Sequence, residues 1–165
     1  MKSSIILFIS LLFFAKIDVN SIRKEYQTVT QSKVKTLALY NKLTKITKKD
    51  NKTLVAYKGA LTALVSKQKK GVKEKKEYFK NGVSLIEFAI KSAPNNIEIR
   101  LIRLSVQQNS PKFLKYNKNI NEDKAFIFKN LKKVKSTSLK KYIQGYILQS
   151  KYFSEEEKTQ IKRKN

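Results

Sequence analysis

Neither cysteine nor histidine nor tryptophan occurs in this chain of 165 residues. Without cysteine there is no disulfide, no thiolate metal site, no thiol nucleophile and no lipid-anchored N-terminal cysteine. Without histidine the usual general base at neutral pH is missing. Metal ligands are then restricted to carboxylates, and no calcium-loop spacing is present. The 4 glycines and 2 prolines are too few for a sandwich or barrel made of many tight turns. Gly71, Gly82 and Gly145 stand alone, so no glycine-rich loop exists to cradle a phosphate. Acids are scarce as well, 12 against 37 basic residues. The pairs Glu74/Glu77 and Glu122/Asp123, and the run Glu155 to Glu157, fall at lysine-rich helix starts, where carboxylates serve as caps and ion pairs. Together these absences argue against an enzyme, and no catalytic residue, cofactor or metal is expected.

What remains is apolar enough to fold. At 41% hydrophobic residues the chain can bury a core. Abundant lysine, leucine and isoleucine with little glycine or proline favours helices. At the N-terminus, Lys2 is followed by an apolar run from Ile5 to Ala15, the length of a signal-peptide core and too short to span a bilayer. Val19 and Ser21 supply small residues at the two positions a signal peptidase needs. The expected organisation is therefore a signal peptide over 1–21, removed after Ser21, a helical domain over 22–153, and a short helix with a basic tail over 154–165. The product is expected to be exported, periplasmic or secreted, with no transmembrane span in the mature chain.

Loss of residues 1–21 removes Lys2, Lys16 and Asp18 and leaves 35 basic and 11 acidic residues, a formal charge of +24. Such a field favours acidic partners. Lys67 to Lys80 carries seven lysines and two glutamates; Lys129 to Lys141 carries six lysines and no acid. Lys132, Lys133 and Lys135 are the candidate polyanion patch. The competing reading is a lysine-biased genome decorating solvated helix faces. Thirty-three lysines against four arginines favours that reading. A dedicated nucleic-acid reader uses the arginine fork and interleaves aromatics with a basic groove.

Helical spacing organises the remainder. A first helix runs from about Arg23 to Ile46, with a break near Ser32; Val34, Leu37, Leu43 and Ile46 carry its apolar spacing with Tyr40. A second shows Leu54, Tyr57, Leu61 and Leu64 on one face, beside Gly59, Ala60 and Ala63, which allow a neighbour to come close. A third covers about Glu74 to Ser92 and stops at Pro94. Asn95 or Asn96 caps a fourth, Ile97 to Gln108. A fifth begins with Asn121 as its cap, and a sixth covers "SLKKYIQGYILQS". Ser154 and Glu157 form a capping box for a terminal helix. No segment alternates, so no strand is expected.

Small residues on the second helix, with Gly82, Ala89 and Pro94 on and after the third, resemble the second helix of a tetratricopeptide repeat. That resemblance implies antiparallel helix pairs in a short array of about six to seven helices. The stretch Tyr57 to Ile127 is similar to a group of small exported all-α proteins of unknown function from flavobacteria-type bacteria, over roughly half of the chain. It implies an all-α, repeat-like fold in the envelope or outside the cell, and supplies no activity.

On a wheel at about 100° per residue, the fourth helix has two apolar arcs. Ile97, Leu101 and Leu104 form one; Ile99, Ile102 and Val106 form the other, nearly opposite. Arg100, Arg103 and Gln107 make a polar stripe between them. A helix apolar on two sides is packed on two sides, so it is expected to be central, and the second and sixth helices outer. In a lysine-biased chain the arginines mark places where a planar fork is needed. Two roles stand open for the stripe. It fixes helix packing through Glu87, Glu98, Glu122 or Asp123, or it grips an acidic group of a partner; the first is favoured, because buried arginines are usually paired within the fold. The functional expectation is a non-enzymatic interaction or scaffolding module acting on an unidentified envelope protein. The alternative is electrostatic binding of an acidic polymer or anionic membrane surface.

Overall fold

The computed structural model describes residues 17–29 and 32–163. These residues form eight α-helices, joined by turns and short 3-10 segments, and no strand occurs among them. In chain order they are α1 (Val19–Val29), α2 (Lys33–Lys42), α3 (Lys52–Val65), α4 (Val72–Ser92), α5 (Ile97–Gln108), α6 (Ile120–Asn130), α7 (Thr137–Gln149) and α8 (Glu155–Lys162). The expected six to seven helices become eight because the chain breaks at Ser32, whose side chain caps α2. Lys2 and the apolar run Ile5 to Ala15 lie outside the described residues. The expected cleavage point after Ser21 falls within the first turn of α1, and Ile22 beyond it is buried.

Local chemistry explains most boundaries. Asn51, Asn96 and Ser136 accept hydrogen bonds from backbone N–H groups in the first turns of α3, α5 and α7. Ser154 and Glu157 complete their capping box on α8. Ahead of Pro94, Ala93 leaves helical geometry at φ −145° and ψ 68° and ends α4. The cap expected at Asn121 is displaced. Helix α6 starts at Ile120 after Asn119, and the Asn119 side chain makes no cap, because it bonds Glu122 and Gln107 instead.

Two hydrophobic clusters form the core, and α5 has a face in each. Ile99, Ile102 and Val106 join the cluster built by α1 to α4. Leu101 and Leu104 join Ile127, Leu131, Ile143, Ile147, Phe153 and Ile161, which gathers α6 to α8. The expected outer position of the second helix is overturned. Helix α3 is buried on nearly every side, including Thr53, Val55, Ala56, Ala60, Thr62 and Ala63. Its polar-looking faces carry small residues, which a search for large apolar side chains passes over, and these let neighbours approach to backbone contact. The apolar spacing of the first helix also divides: Leu39, Leu43 and Ile46 are buried, whereas Val34 and Leu37 are exposed.

The closest approach is between α3 and α4. A Cβ placed on Gly82 would lie 2.5 Å from the Gly59 carbonyl oxygen and 2.7 Å from the Ala63 nitrogen. Both obstacles are backbone, so the helices themselves would have to separate. Gly82→Ala is therefore expected to destabilise, since overpacking costs about 1–3 kcal/mol and helix propensity returns only about 1 kcal/mol. Gly145, in the middle of α7, faces open space. Gly145→Ala is expected to stabilise by about 0.5–1 kcal/mol. Urea midpoints moving in opposite directions are the check; a fall for both, or a rise for both, contradicts the packing described.

Candidate functional site: two arginine clusters and a basic cleft

The stripe on α5 is an internal junction with α6 and α4. Arg103 is buried and forks onto Asp123, donating from Nε to Oδ2 and from Nη2 to Oδ1, both at 2.7 Å. Its remaining Nη1 donates to Glu87 at 3.3 Å. Arg100 donates from Nη1 to Asp123 at 3.0 Å and to Glu122, and from Nε to the Pro94 carbonyl at 2.9 Å. Its guanidinium also lies over the Phe126 ring, 4.7 Å from the centroid. Tyr116 donates to the other oxygen of Glu87. Gln107, the third member of the stripe, donates to Asn119 at 3.4 Å, and its buried Oε1 has no partner among the described residues. Burial opposes the charge on Arg103, but the Asp123, Glu87 and Glu122 carboxylates outweigh it and hold its pKa above the ordinary arginine range. Glu122, bonded to Arg100, is held below the usual carboxylate value.

A second cluster joins residues that no period in the sequence links. Arg23 of α1 forks onto Glu98 of α5, with Nε to Oε1 and Nη2 to Oε2 both at 2.7 Å. Tyr57 of α3 donates its phenol to the same Oε1 at 2.7 Å. Glu98 is thus spoken for and takes no part in the Arg100/Arg103 junction. Arginine scarcity, the signal that singled out Arg100 and Arg103, applied equally to Arg23. The carboxylate 75 positions away left no comparable mark.

Buried and half-buried tyrosines lie around both clusters. Burial pushes the Tyr26 phenol up to about 12. It also raises Tyr57, Tyr116, Tyr142 and Tyr146 above their ordinary value of 10.0. The folded state therefore favours the neutral phenols. Their contribution is fully present below pH 10, the unfolded value, and is lost as pH rises through the folded values. Spectroscopic titration is expected to show tyrosinate forming at distinctly higher pH in the native chain than in urea. Coincident curves contradict the burial.

Away from these clusters the surface is lysine. Lys132, Lys133 and Lys135 are exposed around the 3-10 turn after α6 and have no carboxylate partner among the described residues. A cleft of about 250 Å³ opens between α1 and α7, lined by Asn20, Arg23, Lys24 and Gln27 on one side and Ser138, Lys141 and Tyr142 on the other; Arg23 Nη1 donates to Asn20 Oδ1 at 2.7 Å. Among the described residues no group of three or more acidic side chains is placed to hold a metal ion. No described helix is long and apolar enough to cross a membrane. No protein-family model, curated protein or solved structure matches the chain.

Proposed function

We propose that the protein is a non-enzymatic interaction or scaffolding module of the cell envelope, exported and then stripped of residues 1–21. In this reading its helices form a short tetratricopeptide-like array of antiparallel pairs, akin to small exported helical proteins of flavobacteria-type bacteria. The observation that carries the reading is a division of labour. Three of the four arginines and their carboxylates are spent on one another, while the outer helix α2 leaves Val34 and Leu37 in solvent. Those two side chains lie one turn apart, the spacing at which a partner helix packs. The close passage of α3 over α4 at Gly59, Ala63 and Gly82 supports the repeat-like pairing.

The test is capture from envelope extract in about 0.2 M salt, where the screening length is under roughly 10 Å. The parent is expected to retain a stoichiometric protein partner, and a Val34→Lys/Leu37→Lys variant to lose it. Equal capture by both removes α2 from the argument. Sequencing the N-terminus of the protein from its host checks export: an intact Met1 on a cytosolic product overturns the envelope assignment.

The unpaired Lys132, Lys133 and Lys135 favour a second reading, electrostatic association with an acidic polymer or anionic membrane. Binding to DNA, heparin-like polymer and anionic vesicles is expected to be weak, without preference and steeply salt-dependent. Replacing the three lysines by glutamine is expected to lower both affinity and salt slope. Tight, polymer-selective binding that survives about 0.2 M salt would promote this reading above the first.

A further inference from the structure

We propose that the cleft between α1 and α7 is a binding site for a phosphomonoester group. This holds whether or not α2 engages a protein partner, because it rests on different residues. The two helices approach one another through Arg23, whose Nη1 reaches Ser138 Oγ at 3.4 Å, and they leave about 250 Å³ between them. That is several times the roughly 30 Å³ a water molecule occupies in the liquid, enough for a phosphate and a short organic stem. It is below the usual range for drug-sized ligands, so the group it takes is small.

The lining decides the chemistry. Every charged side chain that lines the cleft is cationic: Arg23, Lys24 and Lys141. The Arg23 charge is already balanced by Glu98, and its fork is fully used there. Lys24 and Lys141 are exposed and have no carboxylate partner among the described residues, so the cleft carries two uncompensated charges. The nearby Glu25 is engaged by Lys42. Asp18 accepts from the Ser21 nitrogen, and it leaves with residues 1–21 in the mature chain proposed above. A carboxylate ligand brings a single charge and is best matched by a free arginine fork, which is absent. A phosphomonoester carries about −1.5 to −2 at neutral pH and offers three acceptor oxygens. Two lysine ammoniums, as point charges on flexible stems, match that distribution, and Ser138, whose Oγ accepts from Arg23, lines the cleft beside them. The Tyr142 ring forms a wall for the stem. The cation pair comes from α1 and α7, elements that sequence separation alone does not associate.

The experiment is titration of the full chain at constant ionic strength with glycerol phosphate, inorganic phosphate, a phosphodiester and acetate, followed by calorimetry or amide chemical shifts. Saturable one-site binding is expected for the monoester and inorganic phosphate, and markedly weaker binding for the diester and acetate. Lys24→Gln and Lys141→Gln are each expected to weaken monoester binding by about tenfold or more, as loss of a charge-assisted hydrogen bond does. A Lys73→Gln/Lys75→Gln/Lys76→Gln variant, at exposed positions near the start of α4, carries a larger charge loss and is expected to stay within about twofold of the parent, since α4 contributes nothing to the lining of the cleft. Equal weakening by both sets of variants would show that only the overall positive field binds phosphate, and would overturn the site. So would equal binding of acetate and monoester. Vesicles containing phosphatidic acid then separate the sources. Retention abolished by Lys24→Gln/Lys141→Gln identifies a lipid head group, and saturable binding confined to the soluble esters identifies a free phosphorylated compound. Thermal melts of all variants confirm folding, which substitutions at these exposed positions should leave unchanged.

Discussion

Asp123→Ala is expected to lower the unfolding free energy by about 3–5 kcal/mol, the cost of removing one partner from a buried charge pair. Asp123 is fully buried and is the shared acceptor of Arg103 and Arg100. Its removal strands the Arg103 fork on α5, with only the more exposed Glu87 and Glu122 left nearby. Arg103→Ala is expected to cost less, toward about 3 kcal/mol, because Arg100 still donates to Asp123. Arg103→Lys should cost less again, since it keeps the charge and loses only the two-pronged geometry. Urea melts of the four proteins order these effects. If Arg103→Ala melts like the parent, the junction does not hold α5 to α6. In that event loss of partner capture by a folded Arg103→Ala would return the stripe to recognition.

Glu98→Ala is expected to be comparably severe, again about 3–5 kcal/mol, because it leaves the buried Arg23 unpaired and the Tyr57 phenol without its acceptor. The Arg23–Glu98 bond fastens α1 to the middle of the molecule, so the damage should appear first as exposure of α1. Hydrogen exchange is expected to rise in the part of α1 from Ile22 to Val29 before it rises in α3 or α4. A compensated variant separates charge burial from packing. Arg23→Met/Glu98→Leu/Tyr57→Phe removes every polar member together and is expected to recover most of the loss, since a buried ion pair replaced by apolar groups of similar size is often neutral or stabilising. If the triple variant is as unstable as Glu98→Ala, shape rather than charge dominates the site.

The two junctions differ in how far they could be read from the chain. Arg100 and Arg103 lie on one helix, at a spacing that sets them on one stripe, and their partners Glu122 and Asp123 sit together at the start of the next helix. That geometry is local, and its outline follows from 3.6 residues per turn. Arg23, Tyr57 and Glu98 come from three helices spread across 75 positions, and no period links them. The placement of α3 was hidden for a related reason. Its burial depends on glycine, alanine and threonine faces whose value appears only when another backbone lies against them. The phosphate-sized cleft is further still from the sequence, since α1 and α7 are separated by more than a hundred residues.

The all-α class, the ends of α4 and α5, the capping box of α8 and the two-sided character of α5 were determined by the sequence itself. Each depends on backbone preference, capping chemistry or periodic burial within a few turns of chain. Tertiary structure alone decided that α3 is central, that Val34 and Leu37 face solvent, that Glu98 belongs to Arg23, and that Lys24 and Lys141 line one cleft. The reason is physical: a side chain's period says which residues share a face, whereas the energy of that face depends on what another segment brings against it.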